Sequence, residues 1–97
     1  MTAAIADHVT ITRSRELMEA PLERDLVGLN VETGLCYGFN ETASAIWRHL
    51  TQPLTFGDLL EKLRGEFEVT ADECRDDVAR IVGRLSDEGL VAVSAAP

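Results

Sequence analysis

The chain has 97 residues, 45% of them hydrophobic, and seventeen acidic against nine basic side chains leave it a formal charge of −8. That length supplies one core, so residues 1–97 are expected to form a single domain with its core at about 9–93. The acidic balance disfavours nucleic acid and an anionic membrane surface as partners, and the absence of any apolar run of about 18 to 20 residues or of a signal core places the protein in the cytoplasm.

Met1 to Asp7 carry no capping or periodic signal and read as a frayed terminus. Val9 to Arg13 alternate apolar and polar side chains with β-branched residues in the lead, the pattern of a half-buried first strand. From Ser14 to Asp25 the pattern blurs. Pro21 blocks a regular ladder position, and Glu23, Arg24 and Asp25 predict a solvated bend. Leu26 to Val31 and Leu35 to Phe39 follow as strands joined by the Glu32-Thr33-Gly34 turn. In the second of these Leu35, Tyr37 and Phe39 share one face and Cys36 and Gly38 the other, with the Tyr37 hydroxyl favouring the rim of the core.

Three helices come next. Asn40 or Thr42 caps the first, whose apolar side is Ala43, Ile46, Trp47 and Leu50, with Trp47 as a core anchor; Pro53 stops it. Thr55 with Asp58 opens the second, carrying Phe56, Leu59, Leu60, Leu63 and Phe67. Thr70 with Glu73 has capping-box spacing for the third, whose stripe is Cys74, Val78, Ile81, Val82 and Leu85 and which Gly89 ends. Leu90 to Val93 form a short strand or a packed tail, and Ser94 to Pro97 read as loose. The order predicts an α+β fold of winged-helix type: a three-stranded antiparallel N-terminal sheet followed by three helices.

Little in this chain points to catalysis. His8 lies in the loose start, and His49 suits the C-terminal end of a helix dipole. No nucleophile elbow, zinc-binding helix, phosphate loop or paired-carboxylate signature occurs, so no enzyme activity, cofactor or metal is expected. Cys36 and Cys74 are too few and too far apart for a zinc site and read as small packing residues.

At 100° per residue the third helix has two unlike flanks. One carries Asp77, Arg84 and Glu88; the other carries Arg75, Ala79, Gly83 and Ser86, with Val82 at its edge. The small side chains make a shallow trough that admits two readings: close approach of another segment of the same chain, or an external peptide with Arg75 available to one of its carboxylates.

The run Leu29-Asn30-Val31-Glu32-Thr33-Gly34-Leu35-Cys36-Tyr37-Gly38-Phe39-Asn40-Glu41-Thr42-Ala43, followed by Ile46-Trp47, resembles the PqqD-like family of peptide-recognition domains. Thr55, Leu59, Leu63, Phe67, Val69, Asp77-Val78, Leu85 and Gly89-Leu90-Val91 extend the resemblance over roughly Leu26 to Val91. It implies a non-catalytic domain that binds the leader segment of a ribosomally made precursor peptide. The leader adds as a strand beside Leu35 to Phe39 and lies in the groove between that strand and the third helix. Carried over, the elements are Leu35 to Phe39 and roughly Ala71 to Glu88; with the small-residue flank taken as the groove side of the helix, the expected site residues are Leu35, Cys36, Tyr37, Gly38 and Phe39 with Arg75, Val78, Ala79, Val82, Gly83 and Ser86. The Gln52-Pro53 link and the Asp72-Glu73-Cys74-Arg75 run look like the versions that accompany lasso-peptide pathways, whose further partners are a separately encoded leader peptidase and an ATP-dependent cyclase. The alternatives are a chaperone of pyrroloquinoline quinone synthesis or another radical-enzyme peptide pathway, a winged-helix DNA-binding regulator, and a structural subunit that docks on an enzyme and binds no peptide.

Overall fold

In chain order the elements are β1 (Thr10–Arg13), β2 (Met18–Leu22), β3 (Asp25–Leu29), β4 (Cys36–Phe39), α1 (Glu41–His49), β5 (Leu54–Thr55), α2 (Phe56–Glu66), α3 (Ala71–Asp87) and β6 (Val91–Ser94). The computed structural model describes residues 5–67 and 70–94. The expectations for Met1 to Ala4, Val69 and Ala95 to Pro97 lie outside the described residues.

The strands form two antiparallel sheets, ordered β5-β1-β6 and β2-β3-β4. The α+β architecture and the three-stranded sheet ahead of the helices are as the sequence predicts, but the strands that compose this sheet are not. β1 pairs with β5 and β6, not with the hairpin, so that the fully buried Ile11 sits opposite Leu54 on one side and Val93 on the other. The terminal segment is therefore a strand rather than a packed tail.

The place of β1 beside β3 and β4 is taken by β2, in the segment expected to be a bend. It pairs with β3 from Met18↔Leu29 to Leu22↔Asp25 across the two-residue turn Glu23-Arg24. In such a hairpin the residues flanking the turn exchange hydrogen bonds, and the exchange recurs at every second pair. Ala20 and Met18 then face β3 with their backbone groups, whereas Pro21 and Glu19 direct theirs to the open side. The N–H that proline lacks is one the ladder does not use, which is why Pro21 is tolerated.

Each helix starts on its cap. Asn40 Oδ1 accepts from Ala43 N at 2.9 Å, and Thr55 and Thr70 accept from Asp58 N and Glu73 N, both at 3.1 Å. Gly89, at φ +76°, closes α3 in a Schellman arrangement in which Leu90 N donates to Leu85 O and Gly89 N to Ser86 O. The core gathers Ile11 from one sheet, Leu26 and Phe39 from the other, and Trp47, Phe56, Leu59, Leu63, Val78 and Val82 from the helices. The beginning of the chain is less free than expected from Ile5 on. Ile5 packs against the core, Gly57 N donates to Asp7 O at 3.0 Å, and Arg75 holds Asp7 Oδ1 at 2.6 Å.

Candidate functional site

β3 uses Asp25, Val27 and Leu29 toward β2, so Leu26 and Gly28 bond to Phe39 and Tyr37 of β4 in the observed register. The 2.9 Å bond from Asn30 N to Leu35 O continues the same series. Cys36 and Gly38 are left with their N–H and C=O groups directed away from β3. No strand pairs with that side of β4 among the described residues, so it presents two donors and two acceptors in extended order, with no proline among them.

Below this edge a groove of about 290 Å³ separates β4 from α3. Cys36 to Asn40 and Ala43 line one wall and Ile81, Arg84, Leu85 and Glu88 the other. Ile81 and Tyr37 are half-buried, Leu85 and Phe39 buried, and Arg84 and Glu88 exposed. The floor is thus apolar and the rim carries one charge of each sign a turn apart. Arg84 and Glu88 stand in no ion pair among the described residues.

Trp47 holds the β4 wall in place from behind. Its ring meets that of Phe39 at 5.5 Å and a 54° tilt, and the Arg13 guanidinium lies 4.2 Å from its centroid on the β1 side. Ser44, fully buried in the first turn of α1, donates to Phe39 O at 3.1 Å and fixes the end of the strand against the helix.

The structure brings together only part of the expected site. Cys36, Tyr37, Gly38 and Phe39 line the groove; Leu35 lies just before the strand and is 56% exposed. The residues expected from α3 are elsewhere. Val78, Ala79 and Val82 are core residues. Arg75 packs over the Phe56 ring, is bound to Asp7 and Ile5 O, and lines a separate cavity with Gly57, Leu60 and Arg64. Gly83 and Ser86 are half-buried and outside the groove. The small-residue flank turns away from β4, and the flank of Arg84 and Glu88 faces it. Sequence periodicity defines both flanks, but the packing of α3 on α2 and β6 chooses between them. Nor does a close approach explain the glycine: a Cβ at Gly83 meets nothing within 4 Å among the described residues.

Neither cysteine forms a disulfide, and the expectation of two packing thiols holds for one. Cys74 is buried, and that burial pushes its thiol above the usual range, with Arg64 opposing and Asp77 adding to the shift. Cys36 is exposed at the strand edge. Among the described residues no group of three or more His, Cys, Asp or Glu side chains is placed to hold a metal ion, and no helix is long and apolar enough to cross a membrane. His49 pairs with Glu66 of α2 near the end of α1.

Residues 25–91 match the family described as coenzyme PQQ synthesis protein D, PqqD. The chain belongs to the PqqD family. The match begins at the first residue of β3 and ends at the first of β6, so it takes in the β3-β4 hairpin, the three helices and both walls of the groove. The PqqD fold extends to a solved structure titled "TbiB1 in Complex with the TbiA(beta) Leader Peptide", at a TM-score of 0.65 over 92% of this chain and 94% of that one, with 20% identity. No curated protein matches the chain in sequence.

Proposed function

We propose that this PqqD-family chain binds the leader segment of a ribosomally made precursor peptide, without catalysis of its own, by adding it as a strand to the free edge of β4. One observation carries this reading: Cys36 and Gly38 direct their backbone groups into open space beside a groove in which Tyr37, Phe39, Ile81 and Leu85 lie below a rim of Asn40, Arg84 and Glu88. The solved PqqD-fold relative described as a complex with a leader peptide supports it.

Backbone bonds alone do not secure such a complex. Each nets about 0.5 to 1.5 kcal/mol, while ordering a flexible leader costs about 1 to 2 kcal/mol per residue. Alternate side chains of an added strand point to the helix side of the sheet, over Ile81 and Leu85, where each fully buried apolar group contributes about 1.5 to 3 kcal/mol. Those side chains select the leader. Arg84, rather than Arg75, is the cation in reach of a leader carboxylate, and Glu88 favours a basic residue one position pair away.

The Gln52-Pro53 link and the Asp72 to Arg75 run, which resemble the versions that accompany lasso-peptide pathways, favour a proposed role in such a pathway, presenting the leader in the cytoplasm to a separately encoded peptidase and ATP-dependent cyclase. A radical-enzyme pathway of the pyrroloquinoline quinone type is the alternative. A DNA-binding role is not favoured, since Arg75 and Arg80 of α3 are engaged by Asp7 and Asp77.

Calorimetric titration with the cognate leader tests the placement. Ile81→Glu puts a charge on the apolar floor and is expected to weaken binding roughly tenfold or more, whereas Gly83→Glu on the far flank leaves it unchanged within about twofold. The reverse order of effects would place the peptide elsewhere.

A further inference from the structure

On the helix-facing side of the β2-β3-β4 sheet the register sets Glu19, Gly28 and Tyr37 in one cross-strand row and Pro21, Leu26 and Phe39 in the next. Gly28 leaves a gap in the first row. A Cβ there would stand 3.4 Å from Phe39 Cε1 and 2.6 Å from Leu17 Cδ1, so the Phe39 ring leans into this gap as it lines the groove. Trp47, fully buried, backs that ring at 5.5 Å and a 54° tilt. The indole is itself held from β2, where Glu19 Oε2 accepts from its Nε1 at 3.1 Å. Arg13 steadies the carboxylate, lying 3.7 Å from the same oxygen and 4.2 Å from the indole centroid while it donates to the Trp47 carbonyl. Glu19 does not line the groove, and it precedes residues 25–91, the segment matched to the family.

We propose that Glu19 is a positioning residue for leader binding: by fixing the orientation of the Trp47 indole, it holds the Phe39 ring in the place that gives the groove its floor. The inference rests on the leader-binding function above and adds a residue that acts on it from behind the groove.

A buried indole N–H requires an acceptor, and the ring turns to find another when the first is removed. A tilted aromatic pair tolerates only a limited range of orientations, so a turned indole no longer confines Phe39. The strand itself stays in place, because Phe39 pairs with Leu26 in the ladder and its carbonyl accepts from Ser44 Oγ at 3.1 Å. The change is therefore confined to side chains. A leader that needs the Phe39 ring in the groove binds only the molecules that have it there, and its apparent Kd rises by the reciprocal of their fraction. A ring in place for roughly a tenth to a third of the time gives a loss of about three- to tenfold.

The test is calorimetric titration of the cognate leader into the full chain as wild type, Glu19→Ala, Glu19→Gln and Leu63→Val, each checked for folding by circular dichroism. Leu63 is a buried α2 residue outside the groove, and its substitution controls for general destabilisation. The indole N–H of Trp47, the sole tryptophan, is followed by NMR in the same proteins. Glu19→Ala is expected to lose about three- to tenfold in leader affinity. Glu19→Gln, which keeps an acceptor, and Leu63→Val both stay within about twofold of the wild type. The indole resonance moves in Glu19→Ala and also when leader saturates the wild type. Unchanged affinity in Glu19→Ala overturns the inference, as does an equal loss in Glu19→Gln or in Leu63→Val. Should Glu19→Ala not fold, the wild type decides: an indole resonance that stays still at saturating leader uncouples Trp47 from the groove and overturns the inference. Failure of the leader to bind the wild type would instead remove the leader-binding function.

Discussion

The indole Nε1 of Trp47 donates to Glu19 Oε2 at 3.1 Å, and the same carboxylate oxygen lies 3.7 Å from the Arg13 guanidinium. One side chain of β2 thus ties the hairpin sheet to α1 and, through Arg13, to the other sheet. Arg13 also donates to the Trp47 carbonyl. Glu19→Ala leaves a buried indole N–H without its acceptor and should destabilise the fold by about 1 to 3 kcal/mol. Glu19→Gln, which keeps an acceptor but not the charge, should fall between. Urea unfolding followed by Trp47 emission measures both; an Ala variant as stable as the wild type would remove this link from the account.

Glu23 holds φ at +56° in the β2-β3 turn, a conformation that costs an L-residue roughly 1 to 2 kcal/mol. Glycine adopts it freely but loses about 0.5 to 1 kcal/mol through chain entropy. Glu23→Gly is therefore expected to stabilise by about 0.5 to 1 kcal/mol in thermal unfolding, and a loss of stability would contradict the turn geometry.

The two thiols should behave differently. Iodoacetamide at mild alkaline pH is expected to label Cys36 alone, with Cys74 reacting only once the fold opens; mass spectrometry counts the adducts. Because burial raises the Cys74 thiol in the folded state, its share of stability is complete below the unfolded thiol value of about 8.5 and is lost as pH rises past it. Cys74→Ala should flatten that alkaline decline. An equal decline in both proteins would show that another group causes it.

Gly38→Pro removes an N–H that faces the open edge and none that bonds to β3, and Gly38 is not among the glycines with positive φ. The variant should fold with little loss of stability while its affinity for the leader drops several-fold, from one lost ladder bond and a steric obstacle. Circular dichroism and calorimetry together separate the two effects; a protein that folds and binds at full strength would exclude strand addition at this residue.

Helices were the readable part of the chain because their signals are local. Asn40, Thr55 and Thr70 cap them, Gly89 ends the last, and the apolar stripes are the buried faces. Strand partnership was not readable. β1 has the alternation of a strand, but nothing within it says that its neighbours are Leu54 and Val93 rather than the hairpin. β2 was hidden for a different reason: with every residue exposed it shows no inward alternation, and Pro21 counts against a strand unless one knows which way its nitrogen points. Half of the groove was legible for the same physical reason. The β4 wall follows from the hairpin, whereas the choice between Ile81 with Arg84 and Ala79 with Gly83 depends on how α3 packs, which no periodicity encodes.

Amide hydrogen exchange at Cys36 and Gly38, measured by NMR with and without the leader peptide, tests the central claim most directly. Strand addition predicts that both amides, open in the free protein, become protected when the leader is added, together with side-chain shifts at Ile81 and Leu85. Protection confined to the Ala79 to Ser86 flank, with Cys36 and Gly38 exchanging as fast as before, would contradict it.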